Sequence, residues 1–170
     1  MLDGAELSRL YDAHATSLFG YLLNLTRSEA DTRDLLQSVF CRIAQRPELV
    51  SGVRDERAFL LRMAHNASVD WARRCNAHRR RNDAWASDSA ELFAPASDPD
   101  AAGLRRELDE ALAELGPDQR AVVHLKLWEG MRFDAIAETL EISVNTAASR
   151  YRYALDKLRA RLRPLYDEIR

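Results

Sequence analysis

The sequence contains few of the residues that cross-link a chain or interrupt its helices. Its two cysteines, Cys41 and Cys75, are too few for the disulfide framework of a small secreted protein. Six glycines and five prolines among 170 residues favour long helices over a turn-rich sheet protein. The sequence has no apolar run of about 20 residues, the length of a membrane span, and no basic start followed by the apolar stretch of a signal peptide. We therefore expect a cytoplasmic protein with no membrane insertion.

Residues that could build a catalytic or metal site are equally sparse. The four histidines are scattered, and there is no glycine-rich phosphate loop and no nucleophile paired with a base. Cys75 and His78 lie three residues apart and would share one helix face, but two ligands alone do not make a zinc site. Inert reduced thiols are the simpler interpretation of Cys41 and Cys75. The sequence thus predicts neither an enzyme nor a bound metal or cofactor.

Helical periodicity is what the sequence has in abundance, and no segment has the pattern of a strand. Between the helical segments, residues 83–103 carry five acidic residues, two prolines and no lysine or arginine. An acidic segment of small residues and prolines is typical of a flexible linker. We therefore predict an all-α protein of two small helical domains, residues 1–82 and 104–170, joined by a linker over residues 83–103.

The second helix of the first domain raises a question about its apolar residues. Ser28 followed by Asp31 resembles a capping box and starts this helix, which Pro47 closes. Its apolar residues exceed what one narrow core face holds, so two interpretations stay open: a fully internal helix, or a helix with apolar surface left for a partner. These residues are Leu35, Leu36, Val39, Phe40 and Ile43.

A long basic helix completes the first domain. We predict a loop over residues 47–57 and then a helix from Ala58 to Arg81. From Trp71 to Asn82 the chain has five arginines and no acid, although the whole chain has a net charge of −2. An aromatic residue beside phosphate-neutralising arginines suits a DNA strand. The alternative interpretation makes Trp71 a core anchor.

Near the C-terminus, two amphipathic helices are predicted with only three residues between them. The first covers Phe133–Leu140, and the second begins at Val144 with Ser143 as its N-cap. So short a turn forces the helices to cross steeply, which is helix-turn-helix geometry. Glu141 occupies the turn position that needs a left-handed backbone and often holds glycine. The second helix is expected to end at Pro164.

The outward face of this second helix carries amide, hydroxyl and guanidinium groups that match base edges and phosphates. The candidate DNA-binding residues of the helix-turn-helix are Ser143, Asn145, Thr146, Ala148, Ser149, Arg150, Arg152 and Lys157. Three further arginines, Arg159, Arg161 and Arg163, would neutralise backbone phosphates. DNA binding is therefore the function that the residues themselves predict.

Two blocks of the chain resemble the extracytoplasmic-function (ECF) sigma factors of bacterial RNA polymerase. The first block contains DLLQSVFCRI and FLLRMAHNASVDWARR, and the second runs from ALAELGPDQRAVV to LDKLRARL almost without interruption. The chain departs from the family pattern at Ser38, Glu141 and Ala148, where Glu, Gly and Lys are common. Both blocks have the family's order and spacing, and together they cover nearly the whole chain.

The resemblance implies a role for each domain. The first domain would bind the β′ coiled coil of core RNA polymerase and read the minus-ten promoter element, with residues 47–57 forming a pocket for one flipped-out base. The second would read the minus-thirty-five element, and the β subunit is a further implied contact. The implied polymerase-binding residues are Asp34, Leu35, Gln37, Ser38, Phe40 and Arg42. The implied minus-ten residues are Arg62, Asn66, Asp70, Trp71, Arg73, Arg74, Arg79, Arg80 and Arg81.

The resemblance predicts an ECF-type sigma factor that binds core RNA polymerase and directs promoter-specific initiation. Many relatives are held inactive by an anti-sigma factor, so such a protein is a candidate partner. The alternative is a stand-alone helix-turn-helix regulator that binds a palindrome as a dimer. That alternative leaves the helix containing Asp34–Arg42 and the long basic helix without a role.

Overall fold

A computed structural model describes residues 4–79 and 99–168, with side chains over residues 4–77 and 103–164. Within these ranges every regular element is helical, which agrees with the predicted all-α class. The chain divides into two compact units, Met1–Ala90 and Glu91–Arg170. This division falls inside the predicted linker, and the exact domain limits stay a prediction.

Over residues 4–79, the first unit has three α-helices and one short 3-10 turn. Helix α1 spans Gly4–Thr26, α2 spans Glu29–Gln45, the 3-10 turn spans Pro47–Leu49, and α3 spans Glu56–Arg79. Helix α2 starts as predicted, because the Ser28 hydroxyl accepts a hydrogen bond from the Asp31 N–H at 3.3 Å.

The loop predicted over residues 47–57 is partly helical, so its predicted extent is wrong. Pro47–Leu49 forms the 3-10 turn, and α3 begins at Glu56 rather than at Ala58. The Asp55 carboxylate accounts for the earlier start, since it accepts the Ala58 N–H at 2.9 Å in the manner of an N-cap. Arg80 and Arg81, at the predicted end of this helix, lie outside the described residues.

Large aliphatic side chains from all three helices form the core of the first unit. The most deeply buried, each at most 1 % exposed, include Leu10, Leu18, Leu22, Leu60 and Leu61. The five apolar residues of α2 singled out by the sequence are also buried, none of them more than 7 % exposed. Helix α2 packs against both α1 and α3, and it therefore buries a wider face than one neighbour would require. The five side chains are therefore mainly internal, although Leu36 and Phe40 also line a groove between α1 and α2.

Over residues 99–168, the second unit has four helices. Helix α4 spans Pro99–Ala113, α5 spans Pro117–Leu127, α6 spans Phe133–Leu140, and α7 spans Val144–Glu168. The predicted bounds of α6 and the predicted start of α7 are confirmed.

Two prolines lie in helices of the second unit, and the predicted end of α7 at Pro164 is wrong. Helix α4 begins at Pro99, so the last residues of the predicted linker are helical. Proline suits the first turn of a helix, where its missing N–H would have no helical partner. Helix α7 continues through Pro164 to Glu168. Proline fixes φ near the helical value and removes only one hydrogen bond, so a helix near its end can continue through it.

The core of the second unit fixes which side of α7 faces outward. One buried cluster joins α4, α5 and α7 and consists of Ala111, Leu112, Leu115, Val123, Ala154 and Leu158. The stripe predicted for α6, Ile136, Ala137 and Leu140, is buried as expected. Ala147 of α7 is completely buried as well. The opposite side of α7 is therefore left to the surface.

Each unit also has an ion pair or ion-pair cluster between helices that are distant in sequence. Arg9 of α1 forms a bidentate pair with Glu56 of α3, at 2.7 and 3.0 Å. Arg161 of α7 lies 3.0 to 3.2 Å from carboxylate oxygens of three glutamates, Glu107 and Glu110 of α4 and Glu114 just after it. Because its guanidinium already contacts three carboxylates, Arg161 is a poor candidate for the phosphate contact predicted above.

Candidate nucleic-acid interface

The turn between α6 and α7 has the predicted left-handed residue. Glu141 adopts φ 56° and ψ 44°. The next N–H, of Ile142, donates to the Ala137 carbonyl at 3.0 Å, which is the longer hydrogen bond of a Schellman motif. A non-glycine residue in this conformation costs roughly 1 kcal/mol. The helix-turn-helix therefore forms despite an unfavourable residue at its turn.

The N-terminus of α7 is capped as predicted. The Ser143 hydroxyl accepts the Thr146 N–H at 3.0 Å and lies 2.7 Å from the Thr146 hydroxyl. These hydrogen bonds satisfy one of the free N–H groups of the first turn. Ser143 and Thr146 thus stabilise the start of the helix, whatever else they contact.

The predicted DNA-binding residues of α7 fall into two groups: side chains on the outward face, and side chains that contact α5. Asn145, Ser149 and Arg152 follow one another at intervals of four and three residues and so lie on one outward face, Asn145 and Arg152 exposed and Ser149 half-buried. Ala148 is half-buried on its flank. In contrast, Arg150 pairs with Asp118 of α5 at 2.7 Å. The Lys157 ammonium donates to Gln119 of α5 at 3.1 Å.

Tyr153 is an outward residue that the sequence reasoning missed. Its side chain is 57 % exposed, and the Arg152 guanidinium lies 5.4 Å from the centre of its ring. It follows Ser149 by four residues, so counting the outward face one turn further would have found it. An aromatic ring stacked with a guanidinium adds an apolar contact to an otherwise polar face.

On α3, four of the predicted minus-ten residues share one face. Arg62, Asn66, Asp70 and Arg73 follow at intervals of four, four and three residues, and all but the half-buried Arg62 are exposed. Arg73 lies 3.6 Å from Asp70. Arg74 is exposed beside this face.

Trp71 lies on the other side of α3. It follows Leu60 by eleven residues and Ala64 by seven, and both of these residues are completely buried. Its own side chain is half-buried. This position favours the core-anchor interpretation over stacking on a DNA strand. The side chain of Arg79 and all of Arg80 and Arg81 lie outside the described part of the chain, as does the side chain of His78.

The predicted polymerase-binding residues of α2 also divide. Asp34, Gln37, Ser38 and Arg42 are exposed, whereas Leu35 and Phe40 are buried in the unit. The Ser38 hydroxyl donates to the Leu35 carbonyl at 2.7 Å. The exposed residues Asp34, Gln37 and Ser38 therefore form a polar ridge along α2, with the exposed Arg42 further along the helix. The two apolar members of the set, Leu35 and Phe40, pack into the core of the unit.

A groove of different character lies on each side of this ridge. The groove between α1 and α2 is mainly apolar and is lined by Leu7, Tyr11, Phe19, Arg33, Leu36, Gln37, Phe40, Cys41 and Ala44. The exposed Tyr11 ring packs edge-on against Phe40, with ring centres 5.0 Å apart. The groove between α2 and α3 is basic and is lined by Leu35, Ser38, Arg42, Gln45, Arg46, Ala67, Asp70, Arg73 and Arg74.

Comparison with known proteins decides the family. Residues 10–80 match the family model of sigma-70 region 2, and residues 105–158 match that of sigma-70 region 4. The chain is 34 % identical over 167 residues to the ECF RNA polymerase sigma factor SigL of Mycobacterium tuberculosis, covering 96 % of this chain and 92 % of SigL. The chain belongs to the ECF sigma factors. This sigma factor is also 35 % identical over 172 residues to the RNA polymerase sigma factor CarQ of Myxococcus xanthus, covering 98 % and 96 % of the two chains.

The fold of this sigma factor is found in a solved structure. The sigma factor RpoE of Bartonella quintana, crystallised in complex with the anti-sigma factor NepR, aligns with a TM-score of 0.73. The alignment covers 94 % of this chain and 95 % of RpoE at 20 % identity. At that identity the likeness concerns the fold alone.

Family membership establishes the general function of this sigma factor. It binds core RNA polymerase and promoter DNA and directs promoter-specific transcription initiation. Sigma factors are initiation factors rather than enzymes. The stand-alone regulator is not favoured, because region 2 and region 4 are both matched. Across residues 4–79 and 99–168, no helix has the length and apolar character to cross a membrane.

Proposed function

We propose that the two units of this sigma factor divide promoter recognition between them. Helix α3 of the first unit reads the minus-ten element, and α7 of the second reads the minus-thirty-five element. The observation that carries this proposal is the pairing of an outward polar face with a fully buried face on α7, in a capped helix-turn-helix. The corresponding functional domains are residues 1–82 and 104–170.

On α7, the residues proposed to read bases are Asn145, Ser149 and Arg152, with Tyr153 beside them. Amide and guanidinium groups match the hydrogen-bonding edges of bases in the major groove. Arg150 and Lys157 are proposed to approach the backbone, since both are anchored to α5 and keep their charge near the outward face. The free N–H groups at the start of α7 favour a phosphate near Ser143 and Thr146.

On α2, the polar ridge of Asp34, Gln37 and Ser38 and the adjoining apolar groove are proposed to bind the β′ coiled coil. An apolar groove beside polar residues suits an amphipathic helix of a partner. The exposed Tyr11 ring, which packs edge-on against the buried Phe40, supplies apolar surface to this groove. Contact with the β subunit is assigned to the second unit, by resemblance to the family.

The energy of promoter opening explains why the polymerase is required. Opening about a dozen base pairs costs on the order of 15 kcal/mol, at roughly 1.4 kcal/mol per step. Two small helical units with a few phosphate contacts do not supply that free energy while also binding DNA. The proposal therefore assigns promoter recognition and assistance to melting to this sigma factor, and the holding of the open strands to the holoenzyme.

Run-off transcription with purified core polymerase tests the proposal as a whole. Core polymerase with this sigma factor should initiate at one position on a cognate promoter, and scrambling either element should abolish that product. Core polymerase alone is the control. If the mixture starts RNA synthesis no more selectively than core polymerase alone, the proposal is wrong.

The α2 surface has a natural chemical probe in Cys41. This cysteine is exposed in the apolar groove, whereas Cys75 on α3 is half-buried. In a Cys75→Ser background, a maleimide should label Cys41 readily in the free protein and slowly in the holoenzyme. Equal labelling rates in the two states would place the polymerase contact elsewhere. Labelled protein should also compete poorly with unlabelled protein for core polymerase.

We also propose that this sigma factor acts in the cytoplasm and is regulated by an anti-sigma factor. The support is the family, whose members act with the cytoplasmic polymerase, and the RpoE structure, which holds NepR. A candidate encoded beside this sigma factor should form a complex with it and suppress run-off transcription. A neighbour that binds without suppressing transcription would not fill this role.

A further inference from the structure

The basic groove between α2 and α3 brings together residues that the family pattern assigns to two different partners. Ser38 and Arg42 belong to the predicted polymerase set, whereas Asp70, Arg73 and Arg74 belong to the predicted minus-ten set. Arg46, the C-cap of α2, belongs to neither. The groove contains four arginines against one aspartate, which leaves a formal charge of +3 in a protein whose total is −2.

These arginines are exposed and weakly compensated. Asp70, an acid that lines the groove, lies 3.6 Å from Arg73, and both side chains are more than two-thirds exposed. Arg42, Arg46 and Arg74 have no ion pair within the described part of the chain. Four like charges around one groove repel one another, so an anion in the groove lowers their electrostatic energy. This contrasts with Arg161, which three carboxylates already neutralise.

The arrangement suits a polyanion better than a single small anion. Arg46 is the C-cap of α2, and its N–H donates to the Arg42 carbonyl at 3.0 Å, so the backbones of the two residues are one helical turn, about 5.4 Å, apart. Along a DNA strand one charge recurs about every 3.4 Å of axis, so such a pair spans roughly two phosphates. Arg73 and Arg74 approach the groove from α3, whose outward face is already proposed to bind the minus-ten element. The groove thus extends that surface towards α2.

We propose that the α2–α3 groove binds the sugar-phosphate backbone of promoter DNA, and that Arg42 and Arg46 are DNA-backbone residues rather than polymerase contacts. This inference rests on the proposed function, because it requires α3 to lie on the minus-ten region. According to this inference, two sides of α2 have different partners. The polar ridge and the apolar groove bind polymerase, and the side facing α3 binds DNA.

The test compares holoenzymes made with the full-length wild-type chain and an Arg42→Gln/Arg46→Gln variant. Promoter affinity is measured over a range of salt concentrations, together with affinity for core polymerase. Losing two phosphate contacts should lower the slope of log affinity against log salt by roughly 1.4 to 1.8, at 0.7 to 0.9 per phosphate. Core affinity should not change. An Arg42→Lys/Arg46→Lys variant should restore the slope, since a lysine also neutralises a phosphate.

A charge-matched control uses Arg105→Gln/Arg106→Gln on α4, which removes the same number of charges from the other unit. Its slope should equal that of the wild type. If the groove variant has the wild-type slope, the inference is wrong. It is also wrong if the variant loses affinity for core polymerase, because Arg42 would then be a polymerase contact. Failure of the proposed function itself would appear earlier, as absence of selective initiation by the wild-type holoenzyme. Circular dichroism checks that each variant is folded.

Discussion

The two units of this sigma factor use their arginines differently. In the second unit, several arginines of α7 pair within the protein: Arg150 with Asp118, Arg159 with Asp156, and Arg161 with Glu107, Glu110 and Glu114. In the first unit, the arginines of the α2–α3 groove lie close together with one aspartate among them. Ion pairs with other residues of the second unit thus hold α7 in place and leave few of its side chains to contact DNA. The α2–α3 groove, in contrast, has an excess of positive charge.

This difference predicts two kinds of DNA contact. A few outward side chains on a supported helix discriminate between bases, because each has a defined position. A cluster of uncompensated arginines attracts any phosphate backbone and makes binding depend on salt. The second unit should therefore supply most of the sequence specificity, and the first unit should supply more of the salt-dependent affinity.

The largest expected effect comes from removing a base-reading side chain of α7. Asn145→Ala should weaken holoenzyme binding to a cognate promoter by about 1–3 kcal/mol, the usual contribution of one good bidentate base contact. On a promoter with a scrambled minus-thirty-five element the same variant should bind like the wild type. Filter-binding or fluorescence-anisotropy titrations on both templates measure the two affinities.

The Arg42→Gln/Arg46→Gln variant of the basic groove is the matched comparison for Asn145→Ala. It should weaken binding to both templates alike, because phosphates carry no sequence information. If Asn145→Ala also weakened both templates equally, the proposed division between specificity and affinity would be wrong.

A smaller effect is expected at the turn before α7. Glu141→Gly should raise the free energy of unfolding by about 1 kcal/mol, since glycine adopts the left-handed conformation without the Cβ clash. Ser143→Ala should do the reverse by a similar amount, because it removes the N-cap of α7. Urea unfolding of the full-length chain measures both. A destabilising Glu141→Gly would mean that the Glu141 side chain has a compensating contact.

The support of α7 by α4 gives a third, smaller prediction. Arg161→Ala should lower the midpoint of thermal unfolding, and the loss should shrink at high salt, because one guanidinium contacts three carboxylates in and just after α4. Arg159→Ala is the control, since its pair with Asp156 is exposed and lies within one helix. Equal midpoints for the two variants would show that the cluster adds no support to α7.

Local features of the fold were predictable because neighbouring residues determine them. The Ser28 and Ser143 caps and the left-handed Glu141 each depend on a few adjacent residues, and all three are confirmed. The continuation of α7 past Pro164 was not predictable, because proline lowers the chance of a helix without excluding it.

The division of the candidate site was not predictable from local pattern. Pairs such as Arg150 with Asp118 join different helices. A basic residue that the helical pattern places on the surface can therefore be held by an ion pair with another helix. The burial of the five apolar residues of α2 depends on α2 having helices on two sides. The resemblance places Trp71 among the minus-ten residues, whereas its interval from the buried Leu60 and Ala64 puts it on the packing side of α3.

The smallest expected effect is the pH-dependent contribution of Glu56 to the stability of the first unit. Its hydrogen bond with Arg9 lowers the pKa of the Glu56 carboxyl below its ordinary value of 4.5, with a smaller contribution from His14. A carboxyl whose pKa is lower in the folded state stabilises the fold above its unfolded pKa, and this stabilisation is lost as the pH falls through the folded pKa. Glu56→Gln should therefore lower the midpoint of thermal unfolding near pH 6 and leave it unchanged at the acidic end.

The control for this prediction is Glu48→Gln, an exposed substitution in the 3-10 turn of the same unit. Its midpoint should follow the wild-type curve at every pH. Arg9→Gln should reproduce the loss seen with Glu56→Gln, and the double variant should lose little more, because the two residues act as one pair. Additive losses would mean that Arg9 and Glu56 stabilise the first unit through separate contacts. The Arg9–Glu56 ion pair would then not explain the loss of stability of the first unit at acidic pH.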